Sequence, residues 1–252
     1  MRLEIDLAQM VKEPEIAGLD LSALAARDVM NIVLQRSEVL FDLPHPGRVI
    51  RAWTQGNAEP LAALVAEHGD LLARRAAARI LAEVRALSSD LPAVVPCRIA
   101  DIGCGYAFFD LFAWRMWGAD LLLIDLEETD DRHFGFQAQG AAYSDLAVAR
   151  RLLETNGVPA SSITTLNPRA ISPETAVPVD MAVSFLSCGF HYPVDSYMEF
   201  FCRCVRPGGL IVLDLRSRRA EDQLAQLQEF GSVAFLPGPD KVSRVLVRRG
   251  RA

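Results

Sequence analysis

The chain has no apolar run near the roughly 20 residues that a membrane-crossing helix needs. Its apolar runs, such as 121–124, stop far short of that length, so no membrane association is expected. The opening Met1-Arg2-Leu3-Glu4-Ile5-Asp6 carries acids and no apolar core, so no signal peptide is expected there. Cysteine is sparse and odd in number: Cys97, Cys104, Cys188, Cys202 and Cys204. They form no C-x-x-C pair and have no histidine at metal-finger spacing, which argues against a disulfide framework and a structural zinc site. Reduced thiols in a cytoplasmic protein are the expectation. An excess of base is also missing. Lys and Arg number 26 against 32 Asp and Glu, a net charge of −6. Nucleic acid is therefore not an expected partner, because a basic surface supplies most of that affinity. No metal constellation stands out; the adjacent acids Asp130 and Asp131 point their side chains in different directions.

What is present is an ordinary globular composition, 51% hydrophobic and 23% charged over 252 residues, long enough to bury a core without staples. Residues 1–94 read as helical and rich in alanine and leucine. Segment 21–34 has apolar positions at helical spacing. Phe41-Asp42-Leu43-Pro44-His45-Pro46-Gly47 interrupts it. Asn57 is placed to cap the next helix, with Glu59 and Pro60 in its first turn, and 61–87 continues helical. At Ser88-Ser89-Asp90-Leu91-Pro92 the texture changes. Strands are expected at 98–102, 121–125, 162–166, 180–186, 210–215, 232–236 and 242–248, and helices at 108–117, 140–156, 196–205 and 220–230. Strands separated by helix-sized segments imply parallel βαβ units. The last two strands, joined by a short turn, must be antiparallel. The fold class expected is α/β, a doubly wound seven-stranded mostly parallel sheet over 95–252, preceded by a helical extension over 1–94.

The segment Arg98-Ile99-Ala100-Asp101-Ile102-Gly103-Cys104-Gly105-Tyr106-Ala107 runs from a strand through a glycine-rich turn into an aromatic-rich helix. Gly103 and Gly105 let the backbone turn tightly and approach a ligand at the C-terminal edge of the sheet. Asp101 adds a negative charge that would repel a pyrophosphate and welcome a cationic ligand. A dinucleotide fingerprint also needs a third small residue where Phe108 stands. Asp125 closes the second strand about twenty residues on, where an acid accepts hydrogen bonds from ribose hydroxyls. Glu127 and Glu128 read as solvated, and Asn167-Pro168 is placed to reach an adenine or simply to turn.

Asp101-Ile102-Gly103-Cys104-Gly105-Tyr106-Ala107 resembles the first motif of class I S-adenosylmethionine-dependent methyltransferases, D-x-G-x-G-x-G, with Ala107 in place of the third glycine. Asp125 matches their acidic second motif. Arg206-Pro207-Gly208-Gly209 resembles their turn into strand five, and the closing hairpin matches their reversed seventh strand. The resemblance covers roughly 95–250. Ser184-Phe185-Leu186-Ser187-Cys188-Gly189-Phe190-His191-Tyr192-Pro193 is similar to a segment of bacterial small-molecule methyltransferases grouped as sugar O-methyltransferases, as is the stretch from Phe134-Gly135-Phe136 to Tyr143-Ser144-Asp145-Leu146. The resemblance implies S-adenosylmethionine as cofactor, held by Asp101, Gly103, Cys104, Gly105, Asp125, Asn167 and Ser184.

A hydroxyl acceptor needs a base, and histidine suits neutral pH. His191, just after the fourth strand, is the candidate, with Tyr192 to orient the acceptor. Asp195 is placed to orient His191 or to cap the following helix. His133 is a second base candidate, Tyr143 a candidate pocket residue, and Ser187 a candidate contact. His45 and His68 read as structural or exposed, and Trp114 and Trp117 as packing. The function expected is methylation of a small-molecule hydroxyl, on a sugar or natural product. The alternatives are small-molecule N-methylation, nicotinamide-dependent oxidation, or a non-catalytic binding protein with this fold. Nucleic-acid methylation lacks its N/D-P-P-Y/F tetrapeptide after the fourth strand. The N-terminal helices either help form the acceptor pocket or make a homodimer interface.

Overall fold

A computed structural model describes residues 5–41, 43, 45–91, 95–127, 144–239 and 241–250. The N-terminal part is helical: α1 (Leu7–Met10), α2 (Pro14–Ala17), α3 (Ala26–Gln35), α4 (Pro46–Thr54) and α5 (Glu59–Asp90). Helix α3 starts later than its apolar pattern, because the Asp28 carboxylate folds back to accept the Ala25 N–H at 2.8 Å and fixes the first turn there. Pro46 ends one segment and opens α4 from its first position. Asn57 accepts the Glu59 N–H at 3.0 Å, one residue ahead of the Ala58 cap. The long α5 is kinked at His68, where φ is −126°, just before Gly69, its weakest helix former.

The sheet holds β1 (Arg98–Ile102), β2 (Asp120–Ile124), β3 (Ile163–Leu166), β4 (Val179–Ser184), β5 (Val205–Arg216), β6 (Gly231–Leu236) and β7 (Val242–Arg249), with α6 (Phe108–Trp117), α7 (Leu146–Thr155), α8 (Asp195–Cys204) and α9 (Ala220–Phe230) between them. Its order is β3-β2-β1-β4-β5-β7-β6. All pairs are parallel except those made by β7, which runs against both β5 and β6. The doubly wound class expected from the sequence is the one observed. Two boundaries moved for identifiable reasons. Helix α7 begins at Leu146 because the Asp145 carboxylate accepts the Ala147 and Val148 N–H groups; 140–143 lie outside the described residues. Strand β4 stops at Ser184, since Leu186 takes a left-handed φ of 57°. Asp195 is the first residue of α8 and makes no side-chain cap; Val194 holds the cap position.

Alternate residues of each strand feed opposite faces. Ile99, Leu121, Leu123, Met181 and Val183 share one buried apolar cluster with α3, α5, α6 and α7. Ala100, Ile102, Leu122, Ala182 and Ile211 share the other with Phe200, Phe201 and Leu227 of α8 and α9. The N-terminal helices thus pack into the same core as one face of the sheet. Trp114 and Trp117 pack against that core. No described helix is long and apolar enough to cross a membrane. The chain runs outward from β1 through β2 to β3, then returns to β4 on the other side of β1. This reversal opens a crevice at the C-terminal ends of β1 and β4.

Candidate active site

The glycine-rich turn leaves β1 at that crevice. The Gly103 and Cys104 N–H groups donate to the Ile124 carbonyl at 2.7 and 3.3 Å. The Gly105 N–H donates to Asp125 Oδ2 at 2.9 Å, and the Glu127 N–H to Asp125 Oδ1 at 3.2 Å. Asp125 therefore stitches the turn to the end of β2. Gly103 has φ +81°, and a Cβ there would overlap the Ser187 side chain. Ala107, at the position of the motif's third glycine, also takes a left-handed φ of 59°, which side chains other than glycine tolerate poorly.

Three acids converge beneath this turn. Burial, then the Asp110 carboxyl beside it, push Asp101 well above the usual carboxylate range. Burial likewise pushes Asp110 of α6 up to about 7 and raises Asp125. In a fully buried carboxyl pair, each charge makes the other costlier, so both carboxyls are harder to ionise than in water. Burial, followed by these acids, raises the Cys104 thiol well above its ordinary value, so it stands here as a neutral group.

The turn forms one wall of a cleft of about 240 Å³. Asp101, Gly103, Cys104, Gly105, Asp125, Ser187, His191 and Tyr192 all line it, as do Gln35, Arg36, Ile80 and Glu83 from the N-terminal helices. Tyr192 Oη lies 3.0 Å from Ser187 Oγ, and the His191 N–H donates to the Ser187 carbonyl at 2.9 Å. Burial raises the Tyr192 phenol far above its ordinary value, so it enters the cleft as a donor.

Two expected ligand residues face inward instead. The Ser184 hydroxyl is fully buried. It donates to the Ile102 carbonyl at 2.7 Å and accepts the Cys188 N–H at 2.8 Å, pinning the β4 loop to the β1 turn. Asn167 donates through Nδ2 to Glu127 at 2.6 Å and accepts the Arg169 N–H at 2.9 Å. Neither residue lines the cleft. Glu127, read as solvated, is half-buried and also accepts the Leu146 N–H at 3.3 Å. His45 precedes α4 and His68 sits in the α5 kink, both away from the cleft lining. Glu128, Asp130, Asp131, His133, Phe134, Gly135, Phe136 and Tyr143 lie outside the described residues. Among the described residues no group of three His, Cys, Asp or Glu is placed to hold a metal ion, and all five cysteines are free thiols.

Sequence reasoning passed over two polar sets. Arg36 makes a two-pronged contact with Glu83 at 3.0 and 3.3 Å, with Arg79 also on Glu83 at 3.2 Å. Tyr106 binds Asp28 and Asn31 of α3. The signal for the second was present: two polar residues three apart on the apolar face of α3.

No protein-family profile matches the sequence, and no curated protein matches it. Among solved structures, a Nostoc punctiforme protein provisionally described as an O-methyltransferase is similar over 72% of this chain and 59% of its own, at 12% identity and a TM-score of 0.50. The fold is that of the class I methyltransferases. A ribosomal protein L11 methylase from Lactobacillus delbrueckii subsp. bulgaricus (12% identity, 69% of this chain, 80% of its own, TM-score 0.49) is also similar. So is an O-methyltransferase family protein from Burkholderia thailandensis (12%, 71%, 60%, 0.43). The chain spans about three fifths of the length of the Nostoc and Burkholderia proteins. At such identities the likeness to these methyltransferases is one of fold.

Proposed function

We propose that this chain is an S-adenosylmethionine-dependent methyltransferase acting on a hydroxyl of a small molecule, a sugar or natural product. The observation that carries this reading is the meeting of two half-sites in one cleft: Gly103, Gly105 and Asp125 on the sheet edge, and His191 with Tyr192 after β4. The residues present fit the cofactor. Asp125 accepts the Gly105 and Glu127 N–H groups and lines the cleft, where a carboxylate at a strand end suits ribose hydroxyls. Asp101 Oδ1 is buried with no hydrogen-bond partner in the described structure and lines the same cleft. When bound, S-adenosylmethionine supplies a methyl group activated by a cationic sulfur.

The chain's own residues supply the rest. Asp125 and the open backbone of the glycine turn hold the donor. His191 takes the proton from the acceptor hydroxyl, a role that its place in the cleft lining suits. Tyr192, held protonated by burial, donates a hydrogen bond that orients the acceptor. The helical segment 1–94 chooses the acceptor through the side chains of α3 and α5 in the cleft wall, while 95–252 binds the donor. Calorimetry with S-adenosylhomocysteine tests the donor half; saturable binding is expected, and its absence sinks the reading. Incubation with S-adenosylmethionine and a panel of sugars and hydroxylated natural products, scored for a mass gain of one methylene, tests the acceptor half.

A further inference from the structure

The buried polar residues of α3 have no part in the reading above. Asp28, Asn31 and Tyr106 are all buried. Tyr106 Oη donates to Asp28 Oδ1 at 2.9 Å and accepts from Asn31 Nδ2 at 2.9 Å. The other Asp28 oxygen is held by the Ala25 N–H. Buried polar groups on an apolar helix face are costly unless they find partners, and here the Asp28 carboxylate and the Asn31 amide N–H both meet the same phenol.

Tyr106 is the residue between Gly105 and Ala107, both in left-handed conformations. Such backbone persists only where its surroundings over-determine it. Gly105 in turn donates to Asp125. One turn along α3 from Asn31, Gln35 packs against Gly105, with Oε1 3.6 Å from where a Cβ would sit. Helix α3 therefore holds two successive residues of the turn, and through them the Asp125 carboxylate.

We propose that Asp28 and Asn31 are positioning residues for the donor site, holding the glycine-rich turn in its binding geometry through Tyr106. The inference rests on the donor-binding reading given above. It makes the N-terminal helices part of cofactor binding as well as of acceptor choice.

Calorimetric titration of Tyr106→Phe with S-adenosylhomocysteine tests it. Phenylalanine keeps the ring in the cleft and removes only the two hydrogen bonds. Affinity is expected to fall about tenfold, the equivalent of one well-made buried hydrogen bond. Leu227→Ala, in the core on the opposite face of the sheet, serves as a variant of lowered stability. Its S-adenosylhomocysteine affinity is expected to match the wild type at a temperature where both stay folded. Should Tyr106→Phe not fold, Asn31→Ala, which keeps the Asp28 bond, carries the test with a smaller loss of affinity. Unchanged affinity in the α3-contact variants overturns the inference and leaves the methyltransferase reading standing. An equal loss in Leu227→Ala assigns the effect to general stability and overturns it as well. A wild-type protein that binds no S-adenosylhomocysteine removes the reading itself.

Discussion

The hydroxyls of Ser187 and Tyr192 meet at 3.0 Å on the spot that a side chain at position 103 would claim. Strand β1 and the loop after β4 thus fit together only because residue 103 is glycine. Gly103→Ala must move Ser187 and strain a backbone at φ +81°. A stability loss of about 1–3 kcal/mol is expected, together with loss of S-adenosylhomocysteine binding. Urea unfolding and calorimetry measure the two effects separately.

His191 lines the cleft from the loop after β4, whereas the glycine turn and Asp125 line it from the ends of β1 and β2. His191→Ala is therefore expected to keep S-adenosylhomocysteine affinity within about twofold while methyl transfer to a hydroxyl falls by about 10²–10⁴. Single-turnover mass spectrometry on an identified acceptor reads the second number. Full activity in this variant would remove His191 as the base.

Asp125 braces the turn and, in the proposed function, supplies the carboxylate for the donor, so two substitutions separate those tasks. Asp125→Asn keeps an acceptor for one backbone N–H but loses charge. Asp125→Ala leaves the Gly105 N–H without its partner. Both should weaken S-adenosylhomocysteine binding, by about tenfold and about a hundredfold respectively; equal affinities for the wild type and Asp125→Ala would contradict the assignment.

Behind the cleft, Arg244 grips Asp214 at 2.6 and 2.9 Å with both side chains almost wholly buried. The Arg244 guanidinium lies 4.8 Å over the Phe185 ring, which itself lines the cleft. Asp214→Asn leaves a buried cation without its counter-charge, and a loss of about 3–5 kcal/mol is expected in chemical denaturation. Replacing both partners by leucine and methionine should recover most of it.

The acids beneath the turn give the free protein a pH signature. Asp101 and Asp110 bind protons more tightly folded than unfolded, because burial raises both. Their contribution to stability is therefore complete below about pH 4, and the share of Asp110 is lost as pH rises through about 7. Asp110→Asn should flatten that decline and be the more stable protein at pH 8. Some slope remains, since Asp125 is raised too. Melting temperatures from pH 5 to 8 decide it; parallel curves for the two proteins would refute the raised Asp110 carboxyl.

The strand–turn–strand unit from Arg98 to Asp125 was legible in the sequence because its signals are local: apolar runs, two glycines, an acid at a strand end. The reversed β7 was legible because a short turn permits nothing else. Ser184 and Asn167 were placed correctly along the chain but not around it. A strand's end tells where a residue lies; which way its hydroxyl or amide turns depends on carbonyls and N–H groups contributed from elsewhere. Asp101 shows the same limit in electrostatics. Burial first, and then Asp110 on the next helix, raises its carboxyl, and only packing decides both.

Asp28 and Tyr106 are 78 residues apart in the chain, and the Ser184 clasp reaches back 82 to Ile102. The turn itself is quick to form, but each brace closes a long loop, and such closures come late and cost entropy. During synthesis α3 leaves the ribosome before the residue it must grip. The proposed donor site is therefore complete only once both contacts have closed. A ligand that fits it stabilises only the fully docked chain, which makes ligand-induced protection a direct report on how much of a preparation has finished folding.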